Sequence, residues 1–406
     1  MAGSIKELNT RSKEAVSFMV QEITHICKDM NSREPGSEGE RDAAKYMADV
    51  LKEDCGCEDV KIENFEEHPS SFYGYFYISA GLNILCAICF FFIPWLSLVI
   101  GCLSVLLFLF HFVLYKKILD PLFPKKESVN VTAVRPCSKE VRQRLFLNGH
   151  TDAAWEFPLN YYFGGVVFEI PGAMATLGAF YYIAIAICVL SGAGKWAHTA
   201  GLCGLLFVPF FLLLAITYNP KRVVDGANDN LSGCYMGIAL LREMERQGIR
   251  LEHTEIGVLL TGSEEAGLRG AKAWARKHKD DYQDVPTYIL GFDTIHDPKH
   301  LMINRRDLNS TIRADRELCE MFREAAKEAD VPCKTGVVPL FGGSTDATAF
   351  LQEGFRAVTI TGLNHVLEDY YHTRKDTYDN LNEEGLENCY KATVCLINKL
   401  DREMIE

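Results

Sequence analysis

The sequence predicts an α/β fold, a mixed and mostly parallel sheet covered by helices, interrupted by two transmembrane helical hairpins. Three observations carry this. Short apolar runs of strand length alternate with amphipathic stretches of helix length along most of the chain. Two long blocks break that pattern: Pro69 to Tyr115 contains no Asp, Glu, Lys or Arg, and Ile170 to Pro220 contains only Lys195. The remainder is polar and acidic. The 406 residues carry a net charge of −12, which argues against a general nucleic-acid binder.

Taken in order, Ser4 to Met30 and Gly39 to Lys52 have helical periodicity, with "SREPGSEGE" as the turn between them. Val60 to Phe65 reads as a strand. Phe72 to Phe92 and Ser97 to Tyr115 each supply about the ~20 apolar residues that cross a bilayer as a helix, with Ile93-Pro94-Trp95 as their turn. Ser128 to Val134 and Arg144 to Asn148 read as strands. Met174 to Leu190 and His198 to Tyr218 form the second apolar pair, joined by "SGAGKWAHTAG". Then come a helix (Leu231 to Arg246), a strand (Ile256 to Leu260), a helix (Leu268 to His278) and a strand (Thr287 to Gly291). A helix (Arg313 to Ala329), a strand (Ala357 to Ile360) and a helix (Glu383 to Leu400) complete the series. The expected organisation is one catalytic domain built from residues 1–68, 119–170 and 221–406, with hairpins at 69–118 and 171–220. A very apolar soluble core is the alternative, but uncharged runs of this length read as spans.

The short flanks on the polar-domain side carry Lys116, Lys117, Lys125, Lys126, Lys221 and Arg222, against Lys195 alone at the hairpin tips. The positive-inside rule then places the polar domain in the cytoplasm, and the sequons at Asn130, Asn230 and Asn309 go unused. The first twenty residues have no apolar h-region, so no signal peptide is expected. Of the fourteen cysteines, Cys86, Cys89, Cys102, Cys188 and Cys203 lie inside the apolar blocks, where they act as small hydrophobes. Cys55 and Cys57 are expected to be structural or incidental, and the usage as a whole fits reduced thiols.

Chemistry-bearing residues gather just past the predicted strands. "RLFLNGHTD" ends on His150 and Asp152, "GVLLTGSEE" on Glu264 and Glu265, and "TYILGFD" on Asp293. His372 follows the last strand, and "DGANDNLSG" adds Asp229. In open α/β sheets, ligands bind outside the carboxyl ends of strands. A set of His, Asp and Glu without thiolate suits a hydrolytic divalent metal, most readily Zn²⁺. Each motif alone is weak; Glu264 and Glu265 by themselves read equally well as a solvated helix start. The ordered series is far more specific.

That series resembles the co-catalytic zinc aminopeptidases of peptidase family twenty-eight, which also holds glutamate carboxypeptidase and glutaminyl cyclase. "GHTD", "DGANDNLSG", "TGSEEAGLRGAKAW", "FD", "GGSTDATAF" and "YHTRKDTYDNL" carry the likeness, with "REPGSEGERDAAKYM" in support. The two apolar blocks are not part of that family's usual domain and read as insertions. The resemblance implies a zinc exopeptidase-like sheet and two zinc ions. Asp229 would bridge them, His150 and Asp293 would complete one, and Glu265 and His372 the other. Asp152 would orient His150, Glu264 would act as general base toward the metal-bridging water, and the peptide after Asp229 would be cis.

The resemblance implies hydrolysis of an N-terminal peptide bond, and the Lys/Arg count of the flanks puts that activity at the cytoplasmic face. An extended tether of about 11 residues reaches at most roughly 36–40 Å, so the short links between hairpins and site put the site near the bilayer surface. An amphipathic N-acyl or lipophilic amide is therefore an alternative substrate. A non-catalytic membrane receptor or scaffold is the third reading, against which the complete ligand set speaks. The bilayer is an expected partner, and the hairpins leave a homo-oligomer open. Asp346 is expected to shape the substrate loop, and Asp376 to assist His372 or cap a loop. His25, His68, His253, His278, His296, His300 and His365 fit no ligand position and read as surface or loop residues. His111 and Lys195 read as interfacial.

Overall fold

A computed structural model describes residues 5–192, 195–339, 342–364 and 368–403; His365 and the side chain of Lys195 lie outside what is described. Eight strands form one mixed sheet: β1 (Asp59–Glu67), β2 (Lys126–Arg135), β3 (Gln143–His150), β4 (Thr254–Thr261), β5 (Thr287–Ile295), β6 (Met302–Asn304), β7 (Lys334–Gly336) and β8 (Arg356–Gly362). Their spatial order is β1-β2-β4-β3-β5-β8-β6-β7. β4, β3, β5 and β8 run parallel as the centre, and β1 and β2 add an antiparallel margin. The parallel strands are buried along almost their whole length, hence their near-continuous apolar sequences. Helices Ser12–Asp29, Ser232–Arg246 and Glu383–Glu403 pack on the sheet through one large apolar core. The chain leaves β3 for β4 on one side and then β5 on the other, so β3 marks the switch point where such sheets bind ligands.

Among the described residues, four helices are long and apolar enough to cross a membrane: Ser70–Phe92, Pro94–Val113, Gly165–Leu190 and Trp196–Leu214. They form a second apolar cluster that also takes in Trp155, Phe157 and Tyr218 from the base of the second hairpin. Their outer faces expose Phe92, Trp95, Val99, Leu177, Leu202 and Leu206. A buried polar seam joins the first pair: Ser104 donates to Asn83 at 2.9 Å and Asn83 to Ser79 at 3.3 Å. Such side-chain bonds are a usual glue between apolar helices.

Several boundaries differ from expectation, each for a local reason. The N-terminal helix starts as a 3-10 turn, Ile5–Arg11, and is α-helical only from Ser12. Pro94 is the first residue of its helix rather than part of the turn, because a proline at N1 lacks only an N–H that has no helical partner. The third apolar helix begins at Gly165, not Met174; exposed Glu169 is accommodated within it. The last apolar stretch breaks into Lys195–Gly204, a 3-10 turn and Val208–Leu214, with Pro209 at the second break. Tyr218 lies beyond it. His253, expected at the surface or in a loop, and His111, expected at an interface, are both buried: His253 Nδ1 meets the Glu140 carbonyl, and His111 Nε2 the Ser71 carbonyl. Asn130, Asn230 and Asn309 are all buried and hydrogen-bonded, so the folded chain withholds them from glycosylation whichever side it faces. The fourteen cysteines are free; Cys55, Cys57, Cys86 and Cys89 are buried, whereas Cys102 and Cys203 face outward.

Candidate metal centre

β3, β4 and β5 run parallel, so their carboxyl ends deliver His150, the Glu264-Glu265 turn and Asp293 to one edge. Asp293 lies inside β5 rather than after it, since that strand continues to Ile295. Glu264 and Glu265 do not begin a helix. The amides of Gly267 and Leu268 both return to the Glu264 carbonyl, at 2.8 and 2.7 Å, and Leu268 takes a left-handed conformation (φ 60°) before the helix Arg269–His278 starts. Both carboxylates are buried, so the solvated-helix-start reading fails.

Asp229 sits at the centre. One of its oxygens lies 3.2 Å from His150 Nε2 and the other 3.1 Å from His372 Nε2. Glu265 Oε1 lies 3.0 Å from His372 Nε2. Among the described residues, three donor groups result, each with its ligand atoms within 4.8 Å of one another: His150, Asp229 and Asp293; Asp229, Glu265 and His372; and His150, Glu264 and Glu265. The first two share Asp229. The Asp229–Asn230 peptide is cis, as the resemblance implies.

The supporting residues were only partly legible in advance. Asp152 Oδ1 lies 3.3 Å from His150 Nδ1. Its two oxygens also accept the backbone N–H groups of Glu264 and Glu265, each at 2.9 Å, so it shapes the turn as well. Asp376 accepts from the amides of Asn228 and Asp229 at 2.8 and 3.1 Å; it fixes the Asp229 loop and does not attend His372. Asp346 is buried at the end of β4, where Thr261 Oγ1 donates to it. Arg33 and Glu40 were not singled out, although their motif was. Arg33 donates to the carbonyls of Thr151 and Gly226, tying the His150 strand to the Asp229 loop. Glu40 accepts from the Ser263 amide at 2.6 Å and from its hydroxyl. His296 packs beside the site, 3.1 Å from Asn228 Oδ1, but belongs to none of the three donor groups.

The electrostatics call for cations. Burial raises Asp293 to about 7, with the charge of Asp229 adding to it. Burial likewise lifts Asp346 to about 6 and Glu264 well above the usual carboxylate range, where Glu265 reinforces the shift. Burial pulls His372 down, yet Glu265 and Asp229 outweigh it and push the imidazole up to about 10. Carboxylates so crowded, with two imidazoles as the nearest positive charge, suit divalent cations, and buried Glu265 Oε1 has no hydrogen-bond donor of its own. Oxygen and imidazole donors without thiolate fit zinc. The residues present therefore fit the group.

In sequence, residues 215–397 match Peptidase family M28. No curated protein matches the chain. In fold, the chain is similar to BSAP, a zinc aminopeptidase from Bacillus subtilis (TM-score 0.57, 12% identity, 95% of this chain and 94% of that one). It is also similar to the LapA aminopeptidase of Legionella pneumophila (TM-score 0.55, 14% identity, 98% and 76%). The glutaminyl cyclase of Fimbriiglobus ruber is comparable (TM-score 0.56, 11% identity, 94% and 94%). At these identities the likeness is one of fold. The resemblance read from the motifs and the aminopeptidase-like sheet both stand. The family match begins at Ala215 and leaves out both apolar hairpins.

Proposed function

We propose that this chain, matched over residues 215–397 to Peptidase family M28, is a membrane-embedded two-zinc metallopeptidase that removes the N-terminal residue of a peptide. The observation that supports it most directly is the placing of the two Asp229 oxygens, one toward His150 and one toward His372. His150 and Asp293 would hold one ion, Glu265 and His372 the other, and Asp229 both. Bound there, two divalent cations would acidify the attacking water and polarise the scissile carbonyl. Glu264, buried and in none of the two Asp229-centred groups, would take the proton from the water and pass it to the leaving amine. Asp152 would keep His150 in one tautomer while holding the turn that presents Glu264.

Membrane embedding is supported by the four apolar helices, and the Lys/Arg asymmetry of their flanks favours a cytoplasmic catalytic domain. A second reading keeps the chemistry and makes the substrate an amphipathic or N-acylated amide. It is favoured by the aromatic side chains that the hairpins and their bases bring against the site: Tyr73 reaches Glu265, and Phe157 lies 4.5 Å from the His372 ring. Purified protein in detergent, offered aminoacyl anilides and their N-acylated counterparts, separates the two. Turnover of free-amine substrates alone is expected; turnover of acylated substrates alone would replace the first reading by the second.

A further inference from the structure

The two halves of the candidate centre are held by different parts of the molecule. His150 and Asp293 stand on adjacent strands of the central sheet. Glu265 and His372 do not. The His372 loop is hung from the segment leading into the second hairpin: the Phe157 amide donates to the His372 carbonyl at 2.7 Å, and Asn160 donates to the carbonyl of Tyr371 at 2.7 Å. Arg374, just beyond, grips buried Glu156 at 2.5 and 2.8 Å.

Glu265 is met by the first hairpin. Tyr73, in the opening turn of Ser70–Phe92, directs its hydroxyl to Glu265 Oε2 at 3.5 Å. The other oxygen, Oε1, faces His372 and has no donor. The phenol therefore occupies the oxygen turned away from the imidazole and leaves the facing one free. The ring is fixed by Tyr218, Phe157 and Trp155, with centroids 5.2, 5.7 and 5.9 Å away. The helix start is itself docked on the same turn. Arg269, which follows the Glu264–Leu268 turn, forks onto Asp120 at 2.8 and 2.9 Å and donates to Ser71 at 3.0 Å.

We infer that Tyr73 is a positioning residue for the Glu265–His372 half of the centre, so that seating of the first membrane hairpin sets how tightly that half holds its ion while the His150–Asp293 half is indifferent to it. This rests on the two-ion reading above. Partners that orient a ligating carboxylate are typically worth ~10–100-fold in metal affinity.

The test is zinc titration of metal-stripped protein in lipid nanodiscs against a chromophoric chelator. In wild type, two classes of site are expected. Tyr73→Phe keeps the ring and removes the hydroxyl; it should weaken one class ~10–100-fold and leave the other unchanged. Tyr75→Phe, on the same helix, should change neither. Cobalt loading gives a second reading, in which the absorption of one ion shifts in Tyr73→Phe and that of the other does not. Two wild-type classes with Tyr73→Phe unchanged, or with both classes weakened equally, overturn this inference alone. A single class in wild type overturns the two-ion reading and this inference with it.

Discussion

Glu264 and Glu265 adjoin in sequence but face different neighbours. Glu265 shares the Asp229–His372 group, and Glu264 stands across from it near His150. Successive backbone positions point side chains apart, and here Asp152 clamps both amides so that each direction is held. The proposed roles make opposite predictions for isosteric changes. Glu264→Gln should retain both ions and lose about 10²–10⁴-fold in turnover. Glu265→Gln should release one ion at moderate chelator strength. Metal content and kcat measured on the same samples check this; equal metal loss in both variants would end the division of labour. The pair and its partners His150, Asp152, Asp229, Asp293 and His372 were legible because His and carboxylates recur just after apolar strand patterns. Arg33 and Glu40 were not, because a buried arginine or glutamate in a turn has the same local sequence as a solvated one. Only the carbonyls and amides it reaches across the fold tell them apart.

Among the elements, β3 carries the most. It lies between β4 and β5, ends on His150, and packs its back against the helix Ser232–Arg246 that follows Asp229. That packing is close at Gly149, where an added Cβ would stand 2.5 Å from the Cys234 nitrogen. Gly149→Ala should therefore destabilise the fold by about 1–3 kcal/mol through overpacking. It should also weaken metal binding by displacing His150 relative to Asp229. Thermal melting with and without zinc checks both, and an unchanged melting temperature would contradict the close approach. Strand and helix identities were readable from period and apolar content. The ends were less so. Gly165 as a helix start is masked by Glu169, and the left-handed Leu268 follows from the turn's hydrogen bonds to Glu264, which no propensity encodes.

For the whole molecule, the proposed topology is tested by the side of a membrane that the sheet domain faces. Its buried sequons are silent on this, so the prediction must use exposed positions. With reactive native cysteines replaced, Ser191→Cys at the turn after Gly165–Leu190 should react with an impermeant maleimide added to intact cells. Glu58→Cys, beside β1, should react only after permeabilisation. The reverse pattern would invert the orientation and move the proposed activity to the other face. Composition and period by themselves determined that the chain alternates strands with helices, that four stretches avoid charge for the length of a bilayer, and that His and carboxylate residues recur in order just after the strands. These are properties of local sequence, since burial of a helix or strand face imposes its pattern on nearby residues. Only the tertiary structure decided that the first hairpin and the segment leading into the second contact the candidate centre. Tyr73 and Phe157 reach the centre through contacts between residues far apart in the chain, and such pairings leave no periodic trace along it.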